Sequence, residues 1–322
     1  MDFRTSIPIP KATPKITYDS RVFLVGSCFV ENMGKKLDYY KFSHLQNPFG
    51  ILFHPAAISK FFKNIAENRV YTESDIFWSN EQWHCFDAHS SLSHSEKRIF
   101  LKDLNTRLED AGSFLQETTH LIITLGTAWS YFHVETGHMV ANCHKIPQKF
   151  FKKELQSVED IEVSLNNIIL SLKEINPEIT VIFTVSPVRH LKDGFVENQR
   201  SKAHLITAIH NLLESRESIL PLGIKGVYFP AYELMIDELR DYRFYTGDML
   251  HPSATAIDYI WSRFVETWFS QEAMQLLSKI ETIQKGLSHR PFNPDSAAHL
   301  KFLKKLEQEI SELQKQHPGI RF

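Results

Sequence analysis

Four short apolar runs, residues 22–25, 121–125, 180–185 and 227–229, are apolar along their length and do not alternate with polar positions. That pattern predicts strands buried on both faces. The first two end at Gly26 and Gly126, and the third at Ser186-Pro187. Segments with helical spacing separate them: 28–40, 55–68, 95–117, 157–175, 198–216 and 231–241. Pro55 opens the second of these, where its missing N–H is harmless. Ser157 with Asp160 caps the fourth, and Asn176-Pro177 stops it. Residues 42–45 suggest a further short strand, closed by the turn signature Asn47-Pro48-Phe49-Gly50. Residues 75–86 and 129–142 read as two hairpins. Beyond Asp248 and His251, Ile257, Ile260, Phe264, Val265 and Trp268 share one helix face. Residues 273–315 are mostly helical and charged, without a strand. This tail is expected either to cover the core or to serve as a dimerisation arm.

Strands alternating with helices of this length imply parallel crossovers, hence an α/β fold with a three-layer α/β/α sandwich and a mainly parallel sheet. The expected organisation is one domain over residues 1–270 and a helical extension over 271–322. In such sheets ligands bind at the carboxyl ends of the strands. The informative residues are therefore Gly26-Ser27-Cys28, Gly50, Gly126-Thr127 and the segment from Ser186 to His190.

The 322 residues are 43% hydrophobic and 23% charged, enough to bury a full core, and the formal charge of −2 offers no field to hold a polyanion. Nucleic acid is therefore not an expected partner. The three cysteines form no CxxC pair and no disulfide framework. Met1 to Pro14 holds three prolines and no apolar stretch of signal-peptide length, and no window is long enough to span a bilayer. A cytoplasmic protein is expected, with no membrane partner. There is no GxGxxG and no P-loop, so no nucleotide cofactor is expected, nor any other.

Gly26 permits a sharp turn that delivers Ser27 near the start of the next helix, where backbone N–H groups and the helix dipole favour a developing oxyanion. Serine needs a base, and Asp248-Met249-Leu250-His251 supplies one, with a carboxylate spaced to orient the imidazole. Taken singly, Ser27 and Asp248 are more commonly helix caps than triad members. Cys28 is a rival nucleophile, since a thiol at a helix N-terminus is activated; its bland alternative is a small buried residue. Cys143-His144, with His138 and His133 nearby, lacks HxxxH or CxxC spacing, so a polar wall with His144 or Lys145 facing substrate is preferred to a metal site. Arg189 suits a carboxylate or phosphate on a substrate, or else an ion pair with Asp193 or Glu197. His190 lies beside it. Trp78, Trp83 and Trp129 fall in the hairpins and lean the reading slightly towards a sugar-bearing ester.

Gly26-Ser27-Cys28-Phe29, followed far downstream by Asp248-Met249-Leu250-His251-Pro252, resembles the GSCFA family, itself similar to the SGNH (GDSL-type) hydrolases. Asn47-Pro48-Phe49-Gly50, Asn142-Cys143-His144-Lys145, Ser186-Pro187-Val188-Arg189-His190 and Arg240-Asp241-Tyr242-Arg243-Phe244-Tyr245 fit the same family. The likeness covers about residues 20–270. It implies a flavodoxin-like sandwich and a serine esterase or acyl hydrolase, with Ser27 as nucleophile and first oxyanion donor, and Asp248 and His251 completing the triad. Gly50 would be the second donor. The third, an asparagine in a Gly-x-Asn motif, is replaced here by Ala128, and Asn142 is expected to substitute. Thr127, His144, Arg189 and His190 would line the substrate site. The alternatives are an acyltransferase, a catalytically silent binding module, and a metal enzyme using Cys143 and His144. The expected partner is a small-molecule or carbohydrate ester, and a homodimer through the C-terminal helices is the alternative use of the tail.

Overall fold

The computed structural model describes residues 5–214 and 223–322. Five parallel strands form the main sheet: β1 (Arg21–Gly26), β2 (Ser43–Gln46), β5 (His120–Leu125), β9 (Thr180–Val185) and β10 (Lys225–Tyr228), in the order β10-β9-β5-β1-β2. All four pairings are parallel. The chain leaves β1 to form β2 on one side, then crosses back to β5 on the other. The switch point thus falls between β1 and β5, where the carboxyl ends open a crevice for ligands.

Continuous apolar runs are explained by the layers on either side. Phe23 and Val25, with Leu121, Ile123, Val181 and Phe183, face one core, shared with α2 (Pro55–Ala66), α3 (Lys97–Gln116), α4 (Val158–Ile175) and α5 (Phe195–Glu214). Val22, Leu24, Ile122 and Ile182 face the other, under α1 (Phe29–Tyr39) and α7 (Ala254–Trp268). This is the three-layer sandwich expected. The face read on α7 holds, with Ile257, Ile260, Phe264 and Trp268 all buried.

Three elements differ from the sequence reading. The second hairpin, β6 (Trp129–His133) and β7 (Met139–Val140), gains an unforeseen strand β8 (Phe151–Leu155), giving the order β7-β6-β8. The first hairpin forms as expected, from β3 (Phe77–Ser79) and β4 (Gln82–His84), and Trp83 also bridges to His94. The segment 231–241 is one α-turn, α6 (Ala231–Glu233), that widens into a π-helix over Leu234–Leu239 and is stopped by Arg240 at φ 45°. The expected helix 198–216 starts earlier, at Phe195, and its last two residues lie outside those described, as do the first four of the segment Met1 to Pro14.

The tail forms α8 (Gln271–Leu287) and α9 (Ala297–Gln316). Leu276, Ile280 and Ile283 pack with Leu306, Leu313 and Ile320, and this cluster reaches Tyr18 and Tyr40 of the main body. Gln284 also donates to the Tyr39 carbonyl at 2.8 Å. Among the described residues no helix is long and apolar enough to cross a membrane.

Candidate active site

Ser27 stands at the switch point. Gly26 adopts φ +142°, and a Cβ there would lie 2.1 Å from the Thr124 carbonyl oxygen, so only glycine lets β1 and β5 approach this closely. The chain turns straight into α1, and Ser27 Oγ accepts the Phe29 N–H at 3.4 Å, as a helix-start hydroxyl does. Ser27 is only 1% exposed.

His251 comes from the loop before α7. Its Nδ1 bonds Asp248 Oδ2 at 2.7 Å. Asp248 Oδ1 accepts Thr246 Oγ1 at 2.7 Å, Leu250 N at 2.8 Å and His251 N at 3.0 Å. Led by the His251 N–H, these bonds hold the Asp248 carboxyl far below the usual carboxylate range. A carboxylate so fixed keeps the imidazole proton on Nδ1 and leaves Nε2 as an acceptor. Nε2 has no hydrogen-bond partner among the described residues, and the His251 side chain is 48% exposed.

No hydrogen bond joins Ser27 to His251. The expected contact is missing because each partner is tied within its own element, the serine to α1 and the histidine to its loop. Both expected backbone oxyanion donors are also engaged. Ser27 N–H donates to Thr124 O at 3.0 Å, and Gly50 N–H donates to Asn47 O at 2.7 Å. The second bond has a plain cause: Asn47-Pro48-Phe49-Gly50 is a β-turn, and the turn is closed by its fourth N–H.

The remaining expectations fare differently. His144 does not face a substrate space. It is 2% exposed, with Nε2 on the Cys85 carbonyl at 2.7 Å and Nδ1 on Ser90 Oγ at 3.0 Å. Burial drives its pKa down to about 4. Asn142 is an anchor for that turn, its Oδ1 accepting from Ser90 Oγ at 2.9 Å and His144 N at 2.8 Å, and it makes no hydrogen bond to residues 26–28. Thr127 is buried with its hydroxyl 2.8 Å from Ser201 Oγ. The Cys28 thiol is not activated by its helix terminus; burial pushes it up, against the opposing pull of Lys202 and of the N–H groups of Cys28 and Phe29. Trp78 and Trp83 face each other across the β3–β4 hairpin at 5.4 Å, and Lys153 lies over Trp129 at 5.0 Å.

Arg189 forms neither of the ion pairs considered for it. Asp193 pairs with Lys153 instead. Arg189 holds the triad loop: its N–H donates to Leu250 O at 3.1 Å, and Nη1 donates to Met249 O at 3.1 Å. His190 sits on the sheet edge, its Nε2 3.3 Å from where a Cβ on Gly126 would be. Burial, helped by the charges of Lys202 and His251, lowers its pKa to about 3.

Four residues of the site were given no role from the sequence: Asn47, Asn198, Ser201 and Lys202. Asn47 Oδ1 accepts the Gly26 N–H at 2.9 Å, which fixes the amide beside Ser27 and leaves Nδ2 buried without a partner. His190 Nε2 is buried and unpartnered in the same way. Lys202, on α5, is 1% exposed and donates to the carbonyls of Gly126 at 2.7 Å and Ser186 at 2.8 Å, joining the ends of β5 and β9. Ser201 beside it accepts the Ala128 N–H at 2.7 Å, and Asn198 Oδ1 accepts the His190 N–H at 2.8 Å. The signal was present in the helix pattern. The buried stripe of α5, Leu212, Ile209, Ala208 and Leu205, continues onto Lys202, Ser201 and Asn198, polar residues where apolar ones are due.

No curated protein matches the chain. Among solved structures it is similar to the crystal structure of a carbohydrate esterase family 3 from Talaromyces cellulolyticus, at 9% identity and a TM-score of 0.38, over 80% of this chain and 98% of that one. That likeness is too distant to bear on chemistry. Residues 280–322 match the C-terminal domain of GSCFA domain proteins. Residues 21–264 match the GSCFA family model, most of the chain, and the protein therefore belongs to the GSCFA family.

Proposed function

We propose that the chain is an ester hydrolase or acyl transferase working through an acyl-Ser27 intermediate. The observation that carries the reading is the Asp248–His251 pair. A carboxylate saturated by hydrogen bonds fixes the imidazole tautomer and leaves Nε2 free, on a loop that Arg189 ties to the segment after β9. In the reaction, His251 Nε2 takes the Ser27 hydroxyl proton while Oγ attacks the ester carbonyl. The same proton then passes to the departing alkoxide, which leaves as the alcohol. Water or an acceptor hydroxyl, deprotonated by His251, releases the acyl group. The loop 246–251 must close on Ser27 for this, and its exposed position favours such movement. The unpartnered Asn47 Nδ2 is better placed than Gly50 or Asn142 to meet the oxyanion, since the Phe29, Val30 and Glu31 N–H groups at the start of α1 already donate to Ser27 and Cys28.

A second reading, a binding module that has kept the fold, is favoured by one observation: Ser27 is almost wholly buried and unbonded to His251. A fluorophosphonate probe separates the two. Under the proposal it labels Ser27, and Ser27→Ala abolishes both labelling and aryl-ester turnover, whereas Cys28→Ala keeps measurable activity. Labelling at Cys28 alone would move the nucleophile, and neither labelling nor turnover at high protein concentration would favour the binding module.

A further inference from the structure

A cavity of about 280 Å³ adjoins the triad loop, lined among others by Arg189, Phe195, Gln199, Tyr232, Tyr242 and Tyr245. Its geometry points to a subsite for the anionic group of a single-ring substrate, a sugar or similar ring carrying a carboxylate or phosphate. We propose this as the specificity determinant of the ester hydrolase described above, and it rests on that reading for the identity of the reacting bond.

Arg189 has no carboxylate partner among the described residues: Glu197 makes no ion pair with it, and four other acidic groups are committed elsewhere. Asp193 pairs with Lys153, Asp237 with Arg240, Asp241 with Arg243 and Asp248 with His251. Its guanidinium spends one donor on Met249 O, which leaves most of its planar fork unbonded. Three rings hold that fork in place, Phe195 at 5.3 Å, Tyr245 at 5.4 Å and Tyr242 at 5.7 Å from the guanidinium carbon. A cation stacked on ring faces keeps its in-plane N–H groups for an anion, which it grips bidentately. Gln199 adds an amide whose oxygen is taken by Tyr232 Oη at 2.6 Å, so its nitrogen remains to donate.

Size and position narrow the ligand. Pockets for small molecules run from roughly 300 to 1,000 Å³, so this one suits a ring and its substituent and not a chain. Its aromatic walls suit the apolar face of a sugar ring. Because Arg189 also bonds Leu250 and Met249, an anion seated on it lies one or two residues from His251. The acyl group would then sit towards Ser27 and the charged alcohol portion in this cavity.

The test has two arms on the whole protein. First, binding of glucuronate, glucose 6-phosphate and glucose is measured by calorimetry in Ser27→Ala, which removes turnover. Second, kcat/KM is measured in the wild type for acetylated glucuronate, acetylated glucose 6-phosphate and acetylated glucose. One or both charged sugars should bind and turn over roughly ten- to a hundredfold better than the neutral one, the range of a charge-assisted bidentate contact. Which of the two is favoured separates carboxylate from phosphate. Arg189→Met should collapse the charged-to-neutral ratio, and Arg189→Lys should keep part of it; reading a ratio cancels any general damage to the loop. Equal values for charged and neutral esters, or an unchanged ratio in Arg189→Met, overturns the subsite while leaving the esterase standing. Charged sugars that bind without any ester being cleaved keep the subsite and overturn the esterase.

Discussion

Lys202 is the residue whose chemistry is set most completely by its surroundings. Burial lowers its pKa from 10.5 to about 7, with the Cys28 thiol the opposing influence. Two carbonyls receive its N–H groups, and a neutral amine has two N–H bonds to give, so the uncharged form is already satisfied. An unfolded chain keeps this lysine protonated until about pH 10.5, while the folded chain releases the proton near 7. Between those values the unfolded state binds more protons, so stability rises with pH across the window and is lost as pH falls towards 7. At about 1.4 kcal/mol per pH unit, the whole span is worth about 4 to 5 kcal/mol. Denaturant melts of the wild type at pH 7.5 and 9.5 should show greater stability at the higher pH. Lys202→Met should be less stable overall, since two carbonyls lose their donor, but its stability should vary far less between the two conditions. A wild type and variant with the same pH slope would mean that Lys202 stays charged in the fold. Four residues expected in the site, Gly50, Thr127, Asn142 and His144, each have a nearer polar partner that uses the group in question.

At the scale of elements, what could be read from sequence was whatever a single periodicity decides. Strands β1, β5 and β9 are apolar throughout because both faces are covered, and α7 shows one face because only one is. β8 escaped because Phe151–Leu155 carries two lysines and a glutamate on a half-exposed strand, which looks like loop until β6 pairs with it. The widening of 234–239 into a π-helix has no counterpart in the residue pattern. Of the site, the Asp248–His251 pair was legible because three residues of spacing decide it locally. The distance from Ser27 to that pair was not, since it depends on how a loop of bonds among Thr246, Asp248, Leu250 and His251 sits on β9 through Arg189. That loop carries its own prediction under the proposed mechanism. Asp248→Asn should retain the loop's shape while losing the charge that fixes the His251 tautomer, and kcat for aryl esters should fall by about a thousandfold or more. Circular dichroism checks the fold and steady-state kinetics the rate. A loss of less than about tenfold would remove Asp248 from the triad.

Across the whole molecule, peripheral pieces are fastened to the sandwich by histidines that the fold keeps neutral. His54 caps α2 by accepting the Ala57 N–H at 3.2 Å and binds the β7 carbonyl of Val140 at 3.2 Å. His144 binds the turn after β4, and His120 binds Pro14 of the N-terminal arm at 3.2 Å. His190 lies between the β5 and β9 loops. Burial lowers the pKa of each, to about 4 for His54 and His144 and about 3 for His190, with His120 lowered in the same direction. In the unfolded chain these side chains take up protons near 6.5. Between that pH and about 4 the unfolded state binds more protons, so stability is intact above the window and drains away as pH falls through it. Each residue that titrates over such a span is worth up to about 3 kcal/mol, and several together rival the roughly 5–15 kcal/mol that holds a typical domain folded. The protein should therefore unfold cooperatively on acidification between about pH 5.5 and 4, before most of its carboxylates titrate. Tryptophan fluorescence followed against pH gives the midpoint. His54→Asn keeps a side chain able to cap α2 while removing one acid-sensitive group. It should be somewhat less stable at pH 7 and should move the acid midpoint downward relative to its own neutral-pH stability. Stability that stays flat down to pH 4 in the wild type would mean that these imidazoles are reached by water and protonated within the folded protein.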